Sequence, residues 1–349
     1  MNCIVDKREL SKAINLCSGV INTRTTLPIL SNILVEADEG LTLTATDLET
    51  FIMCTVPSKV QSKGEFTVPA SLFKEWIASA PDESVVLHYD ENKLECKSGD
   101  ADITLLTLPV EQYVCRPVLI ENKVAVDGNL LREALKKILP ATCTDATRAI
   151  LSGVHLIGSH IVATDTHRLH FVDVNKPLFI GEGVIIQLQS LKSVVNSTCD
   201  TISVGYEGGL IEFECDNVRI HSRLIDGQFP NYEKVIPKNC EVKVTVPKRE
   251  LYDCLRRIGI VAEENAHKVL IDWSTGELKA ESAEVGRGQE QVRMTCEGEG
   301  FPQAVNGQYL MDALAACDSD EVTIELTSAL NPLKVVDGDF LAVVMPMQF

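Results

Sequence analysis

The sequence predicts an α+β protein of three repeated domains, each with two helices packed on antiparallel sheet. Three observations carry that reading. Leu10, Leu131 and Leu251 close similar segments, Asp6-Lys-Arg-Glu-Leu10, Asp127-Gly-Asn-Leu-Leu131 and Pro247-Lys-Arg-Glu-Leu251, at spacings of 121 and 120 residues. A second helix-like set around Leu72, Leu191 and Leu310 repeats at 119 and 119. The strand ends Leu43-Thr-Ala-Thr-Asp47, Val162-Ala-Thr-Asp165 and Leu278-Lys-Ala-Glu281 place their alanines 118 and 117 apart. A further set, Leu108-Pro109, Phe229-Pro230 and Met345-Pro346, keeps nearly the same period, which marks an internal triplication.

The period divides the 349 residues into domains of 1–120, 121–239 and 240–349, each large enough for its own core. The joints fall at the short polar stretches Ile120-Glu-Asn-Lys123 and Pro237-Lys-Asn-Cys240.

Each repeat follows one grammar. An amphipathic helix comes first, with Leu10, Ala13, Ile14 and Cys17 at three- and four-residue steps. Strands at 32–36 and 41–45 follow, joined through Asp38-Glu-Gly40 as a hairpin. A second helix covers 71–79, and strands at 84–89, 93–97 and 101–107 close the unit. Six helices and three sheets are expected, with the helices on a common face. A chain of three similar domains leaves an unpaired surface at each end. Head-to-tail pairing with a second copy would close a six-domain ring and cover exposed strand edges.

Composition narrows the function. No apolar run approaches the roughly 20 residues of a membrane span, and Met1-Asn-Cys-Ile-Val-Asp-Lys-Arg8 has no secretory h-region, so a cytoplasmic protein is expected. The twelve cysteines are scattered without a C-x2-C pair and sit in apolar runs, which reads as reduced, core-filling thiols. A net charge of −18 argues against a nucleic-acid partner until the charges are located. Segments 6–17, 129–138 and 248–258 hold Lys7, Arg8, Lys12, Arg132, Lys136, Lys137, Lys248, Arg249, Arg256 and Arg257. Against these ten cations stand five carboxylates, so a positive surface recurs in all three repeats.

Catalysis finds little support. Gly298-Glu-Gly300 lacks the Lys-Ser/Thr of a P-loop. Asp165, His167 and His170 fit neither an HExxH site nor a triad with a Gly-x-Ser-x-Gly elbow, so a structural or contact role is expected, with no metal and no cofactor.

The chain resembles the beta subunit of bacterial DNA polymerase III, the replicative sliding clamp, along its whole length. Thr26-Leu-Pro-Ile-Leu-Ser-Asn32 with Leu43-Thr-Ala-Thr-Asp-Leu-Glu49 resembles the first-domain signature of that family. Ala163-Thr-Asp-Thr-His-Arg-Leu169 and Asp226-Gly-Gln-Phe-Pro-Asn-Tyr232 resemble segments of the second domain, and Val343-Val-Met-Pro-Met347 the C-terminal tail. The resemblance implies a non-catalytic homodimer that encircles double-stranded DNA without reading sequence and tethers the replicative DNA polymerase. It also implies an ATP-dependent clamp loader and other proteins carrying clamp-binding motifs as partners. The rival reading is an acidic peptide-binding scaffold of the same fold that does not bind DNA; a hydrolase is a distant third.

Site residues follow from the resemblance. Arg24 matches a position that touches DNA, beside the helix cations. A pocket for a short extended peptide maps to Leu151, Thr164, Thr166, His167, Arg168, Leu169, Pro230, Lys234, Val235, Leu330, Pro332, Val343, Val344, Met345, Pro346 and Met347. Aliphatic and methionine side chains suit a groove that serves several partners. Thr166 stands where many members carry a smaller residue, and Lys234 where arginine is common. The ring contact maps to Ile103 and Leu105 of one protomer against Ile260 and Val261 of the other.

Overall fold

The computed structural model describes residues 1–21, 25–113, 120–145, 147–178, 183–262 and 266–348. Six α-helices occur among them, two per repeat: α1 (Lys7–Cys17), α2 (Ala70–Ser79), α3 (Gly128–Ile138), α4 (Leu188–Val195), α5 (Lys248–Ile258) and α6 (Gly307–Ala315). Their local causes are plain. Asp6 caps α1 by accepting the amides of Arg8 and Glu9 at 2.9 and 3.0 Å, and Asn306 caps α6 through the amide of Tyr309 at 3.1 Å. The three marker leucines are buried, Leu10 and Leu251 fully and Leu131 nearly so. Each such side chain contributes about 1.5–3 kcal/mol by leaving water.

The second-helix marker drifts in the first repeat. Leu191 and Leu310 are buried, but Leu72 is 51% exposed and Phe73 takes the core position instead. Helix α2 reaches its core residue one position later than the leucine spacing implies.

The chain forms two compact units, residues 1–129 with 186–224, and residues 130–185 with 225–349. Each unit therefore holds one whole repeat and part of the second. Among the described residues four sheets replace the three expected. In the first unit a five-stranded sheet runs, in spatial order, Ser58–Ser62, Asn2–Asp6, Ser84–Asp90, Lys93–Ser98 and Ala101–Leu106. An eight-stranded sheet runs Lys123–Asp127, Thr201–Glu207, Leu210–Cys215, Val218–Arg223, Thr50–Val56, Leu41–Thr46, Asn32–Ala37 and Gly64–Pro69. In the second unit nine strands run Val184–Gln187, Gly153–Ile157, His160–Thr164, Arg168–Asp173, Phe340–Val344, Leu333–Asp337, Glu321–Leu326, Val242–Pro247 and Thr295–Glu297. A four-stranded sheet there runs Gly286–Gln291, Glu277–Ser282, Lys268–Asp272 and Pro302–Asn306.

The extra sheet count has one cause. Each repeat contributes two sheets rather than one, and the last strand of the second and of the third repeat then joins a sheet of the repeat before it, which leaves four. Ile220 pairs Ile52 antiparallel in the first unit, and Leu169 pairs Val343 in the second. Unpaired edges invite aggregation, so this pairing stabilises and protects at once.

The start of the second repeat is fixed by a buried carboxylate. Glu212 accepts the Ile120 amide at 2.9 Å and the Lys123 ammonium at 2.6 Å, and Lys123 also reaches Glu214 at 2.7 Å. A Cβ on Gly205 would lie 2.8 Å from Ile120 Cγ2 and 3.0 Å from Lys123 Cγ, so glycine keeps the path of the lysine open.

The cysteines correct one expectation. Cys3, Cys17, Cys54, Cys96, Cys143, Cys254 and Cys317 are buried free thiols. Cys199 and Cys215, however, are joined in a disulfide, their Cα atoms 5.9 Å apart. The sequence separation of sixteen hid the pair, because the helix end and the hairpin that carry them meet only after folding.

Candidate functional site

A groove in the second unit is built around one turn. Strands His160–Thr164 and Arg168–Asp173 are joined by Asp165, Thr166 and His167. One carboxylate oxygen of Asp165 accepts the amides of His167 and Arg168, each at 2.9 Å, while the other accepts Arg168 Nε at 3.0 Å. Thr164 Oγ1 donates to the Arg168 carbonyl at 2.7 Å and accepts the Thr166 amide at 3.2 Å. Thr166 is thereby held at φ +79°, a left-handed conformation that costs a side-chain-bearing residue about 1–2 kcal/mol. That cost explains why a glycine would suit the position.

Arg168 is bound on three sides. Its Nη1 also donates to Asp312, and its guanidinium lies 4.3 Å over the Tyr309 ring. Burial raises the Tyr309 hydroxyl pKa above its ordinary value, so the ring meets Arg168 as a neutral phenol. Behind the turn, Val162, Leu169, Ile185, Phe229, Tyr232 and Val343 form a buried cluster. The opposite wall is the chain's end. Met345 donates its amide to the His167 carbonyl at 2.9 Å, Pro346 bridges Val305, and Met347 donates to the Ala304 carbonyl at 2.8 Å.

The resulting cavity has a volume of about 200 Å³ and is lined by Thr164, Thr166, Arg168, Leu169, Pro230, Tyr232, Val235, Val343 and Met345. Eight of these were expected, and Tyr232 was not. The structure does not bring Leu151, His167, Lys234, Leu330, Pro332, Val344, Pro346 or Met347 onto this lining. Strand alternation removes Val344, which is fully buried and follows Val343 on the other face of the sheet. Leu151 is packed inside at 9% exposure, while Leu330 stands out at 75%. Pro346 and Met347 act through the backbone pairing just described.

His170, two residues beyond Arg168, is fully buried. Its Nδ1 donates to the Lys137 carbonyl at 2.6 Å, and Nε2 has no hydrogen-bond partner. Burial lowers its pKa to about 4. It is a neutral core histidine. Among the described residues no group of three or more His, Cys, Asp or Glu is placed to hold a metal.

The basic helices are less uniformly available than their sequence implies. Lys7 donates to the Ala80 carbonyl at the end of α2, and Lys248 to the Cys317 carbonyl, 2.9 Å, beyond the end of α6. Both lysines therefore cap the partner helix of their own repeat. Arg132 is buried at 7% exposure. Lys12 pairs with Glu9 and Lys136 with Glu133, each at 2.7 Å and exposed. Lys137 pairs with Asp318, and Arg257 Nε lies 3.0 Å from Glu290. Arg249 is 95% exposed and Arg256 67%, sharing Asp253 at 3.9 and 3.4 Å. Exposed pairs of this kind hold by less than about 1 kcal/mol and release readily to a phosphate. Arg24 lies outside the described residues.

The expected ring-contact residues divide by side. Leu105 is buried at 5% in its own sheet, whereas Leu106 is 74% exposed. Alternation along the edge strand Ala101–Leu106 thus presents Leu106, not Leu105, outward, with Ile103 half-buried. In the second unit Ile260 is 75% exposed, and Val261 is half-buried beside Gly288.

Residues 1–117 match the N-terminal domain of the DNA polymerase III beta subunit, residues 125–231 its central domain and residues 233–348 its C-terminal domain. The chain belongs to the DNA polymerase III beta subunit family. A beta sliding clamp of Staphylococcus aureus is 30% identical, with 89% of each chain covered. One from Synechococcus elongatus is 29% identical, covering 100% of this chain and 99% of the relative. The crystal structure of the DNA polymerase III beta subunit of Thermotoga maritima superposes with a TM-score of 0.91 at 26% identity, over 100% of this chain and 99% of that one. The Pseudomonas aeruginosa subunit gives 0.90 at 27%, over 100% of both chains. A further Pseudomonas aeruginosa clamp structure, bound to griselimycin, gives 0.91 at 26%, again over both full chains. This protein is accordingly a DNA sliding clamp, a non-catalytic processivity factor of DNA replication that works with DNA and a DNA polymerase.

The clamp's groove contains partners that sequence reading missed. Tyr309 and Asp312 both grip Arg168. Their three-residue spacing on α6 places them on one helix face, which was visible in the sequence. What lay opposite that face was not.

Proposed function

We propose that this clamp acts as a head-to-tail homodimer, with the domain boundaries at 1–120, 121–239 and 240–349, closed around duplex DNA. The exposed cations of α1, α3 and α5, with Arg24, would face phosphates, giving a sequence-independent attraction that falls as salt rises. The groove beside Arg168 would take a short extended peptide with apolar anchors from the replicative polymerase and from other proteins with such motifs. An ATP-dependent loader would open the ring, and the cytoplasm would be its compartment. No helix among the described residues is long and apolar enough to cross a membrane.

The observation that carries the peptide reading is the groove's chemistry. Its charged member, Arg168, is already satisfied by Asp165 and Asp312, so apart from Thr164 and Thr166 the remaining lining is aliphatic, proline, methionine and aromatic. Apolar anchors gain most from such a wall. The ring is tested by loading the protein onto nicked circular DNA and then linearising it. A topological ring slides off the ends; a protein that stays bound is a direct binder and removes the ring from the proposal.

A further inference from the structure

A second cleft opens in the first unit, between α1 and α4, with a volume of about 410 Å³. Glu9, Lys12, Asn15, Lys192, Asp216 and Asn217 contribute to its walls. The Cys199–Cys215 bond lies on it, as does Cys54. Helix α4 is tied down at both ends around this cleft. At its start, Gln189 donates to the Gly19 carbonyl that follows α1. Beyond its end, Cys199 is bonded to Cys215, which closes the strand Leu210–Cys215. The hairpin turn after Cys215 is itself fixed, because Thr55 donates its amide to the Asn217 carbonyl and Asn217 Nδ2 donates to the Thr55 carbonyl, both at 2.8 Å. The disulfide therefore joins a helix end to a rigid anchor.

Nearness of sulfurs is not what sets this pair apart. Cys17 and Cys54 bring their sulfur atoms within 3.9 Å and remain thiols. Cys17 and Cys54 are 0% and 1% exposed, whereas Cys199 and Cys215 keep 6% and 5% of their surface on the cleft. Thiol–disulfide exchange requires an incoming thiolate to reach a sulfur, and nearby cations favour both the attacking and the departing thiolate. On the cleft wall Lys12 is paired with Glu9, so Lys192 is the cation offered to a thiolate there, with Asp216 on the same lining. In a reducing compartment a surviving disulfide is more often a sensor than a structural staple.

We propose that Cys199–Cys215 is a reversible exchange site for small-molecule thiols, reached through the α1–α4 cleft, and that its opening frees the end of α4. A thiolate RS⁻ attacks one cysteine sulfur, forming an R–S–S–Cys bond as the Cys–Cys bond breaks. The departing cysteine thiolate takes a proton from solvent. A second RS⁻ attacks the mixed disulfide, releasing RSSR and leaving both cysteines reduced; RSSR drives the sequence backwards. The exchange chemistry stands by itself. Its consequence for DNA rests on the reading that the helices face the duplex.

Glutathione, reduced or oxidised, serves as the probe on the full-length protein. Differential alkylation with mass spectrometry follows each cysteine, and hydrogen exchange follows residues 188–199. Native protein should show Cys199 and Cys215 blocked, then a glutathione adduct on one of them, then both free, while Cys3, Cys96 and Cys254 stay unreacted. Hydrogen exchange at the end of α4 should rise about tenfold on reduction, and a C199S/C215S variant should show the fast rate under both conditions. Alkylation of Cys199 and Cys215 without reductant overturns the proposal. So does a bond that glutathione opens only after unfolding, or a variant whose exchange matches oxidised protein. If the exchange behaves as stated but retention on circular DNA is the same in both redox states, freeing α4 does not reach the DNA-facing helix α1 across the cleft, and the exchange site stands.

Discussion

Asp165 and Arg168 lock each other in place: one aspartate oxygen is 3.0 Å from the guanidinium Nε, and the other holds two backbone amides of the turn between them. The same turn occurs in the first repeat. Asp47 accepts the amides of Glu49 and Thr50 at 3.0 and 2.7 Å, and Leu48 sits at φ +80° as Thr166 sits at +79°. The first copy keeps the backbone device but has Thr50 where the second has Arg168. In the second repeat the turn carries a side chain that α6 clamps, and the groove lies beside it.

Met345 and Val344 should separate binding from folding. Met345→Ala removes a half-buried side chain from the groove and should weaken an apolar peptide by about tenfold, near 1.4 kcal/mol, with little change in melting temperature. Val344→Ala empties a fully buried site and should cost about 1–3 kcal/mol of stability. Calorimetric titration and thermal melts of both variants decide; equal effects on peptide affinity would move the groove away from Met345.

For the ring contact, Leu106→Asp and Ile260→Asp should each give monomers by sedimentation at micromolar concentration, because both side chains are exposed on their own protomer. Leu105→Asp should behave differently. Its side chain is buried, so the introduced carboxylate should lower stability before it affects assembly. Dimers that persist in both exposed-site variants would place the contact elsewhere.

The helix cations should also divide into two classes. Arg249→Glu with Arg256→Glu should weaken DNA retention and flatten its salt dependence by about one unit of slope for each phosphate no longer neutralised. Lys7→Met and Lys248→Met should instead lower melting temperature, since each removes a helix-capping hydrogen bond, and should leave the salt slope almost unchanged. Salt titrations of DNA binding separate the classes.

Much of this was legible because period and burial agree. Leu10, Leu131 and Leu251 marked the first helices, and Ala45, Ala163 and Ala280 the buried strand ends. Where the sequence misled, a three-dimensional partner decided. Lys7 and Lys248 read as surface charge until the ends of α2 and α6 were found within their reach. Leu105 and Leu106 differ by one step on a strand, and register settles which faces out. Cys199 and Cys215 carry no spacing signal, and the pairing of strands between repeats depends on edges that a linear pattern cannot match.

His170 should give the clamp a specific loss of stability in acid. Its pKa is about 4 in the folded chain against 6.5 as the ordinary value, because burial disfavours the charged ring. A base with a lowered folded pKa contributes fully above the unfolded value. That contribution shrinks as pH falls from about 6.5 towards 4, where the unfolded chain binds a proton that the folded chain refuses, and levels off below 4. The shift corresponds to about 3 kcal/mol. His155 and His221 are also lowered by burial, so wild-type acid sensitivity alone does not isolate one ring. His170→Phe removes the titrating group beside Phe340, whose ring it meets edge-on at 5.3 Å, and leaves the Lys137 carbonyl without its donor. The variant should be less stable at pH 7.5 yet lose less between pH 6.5 and 4.5 than wild type. Urea midpoints at those pH values measure the difference, and parallel curves would show that His170 titrates no differently in the folded and unfolded chains.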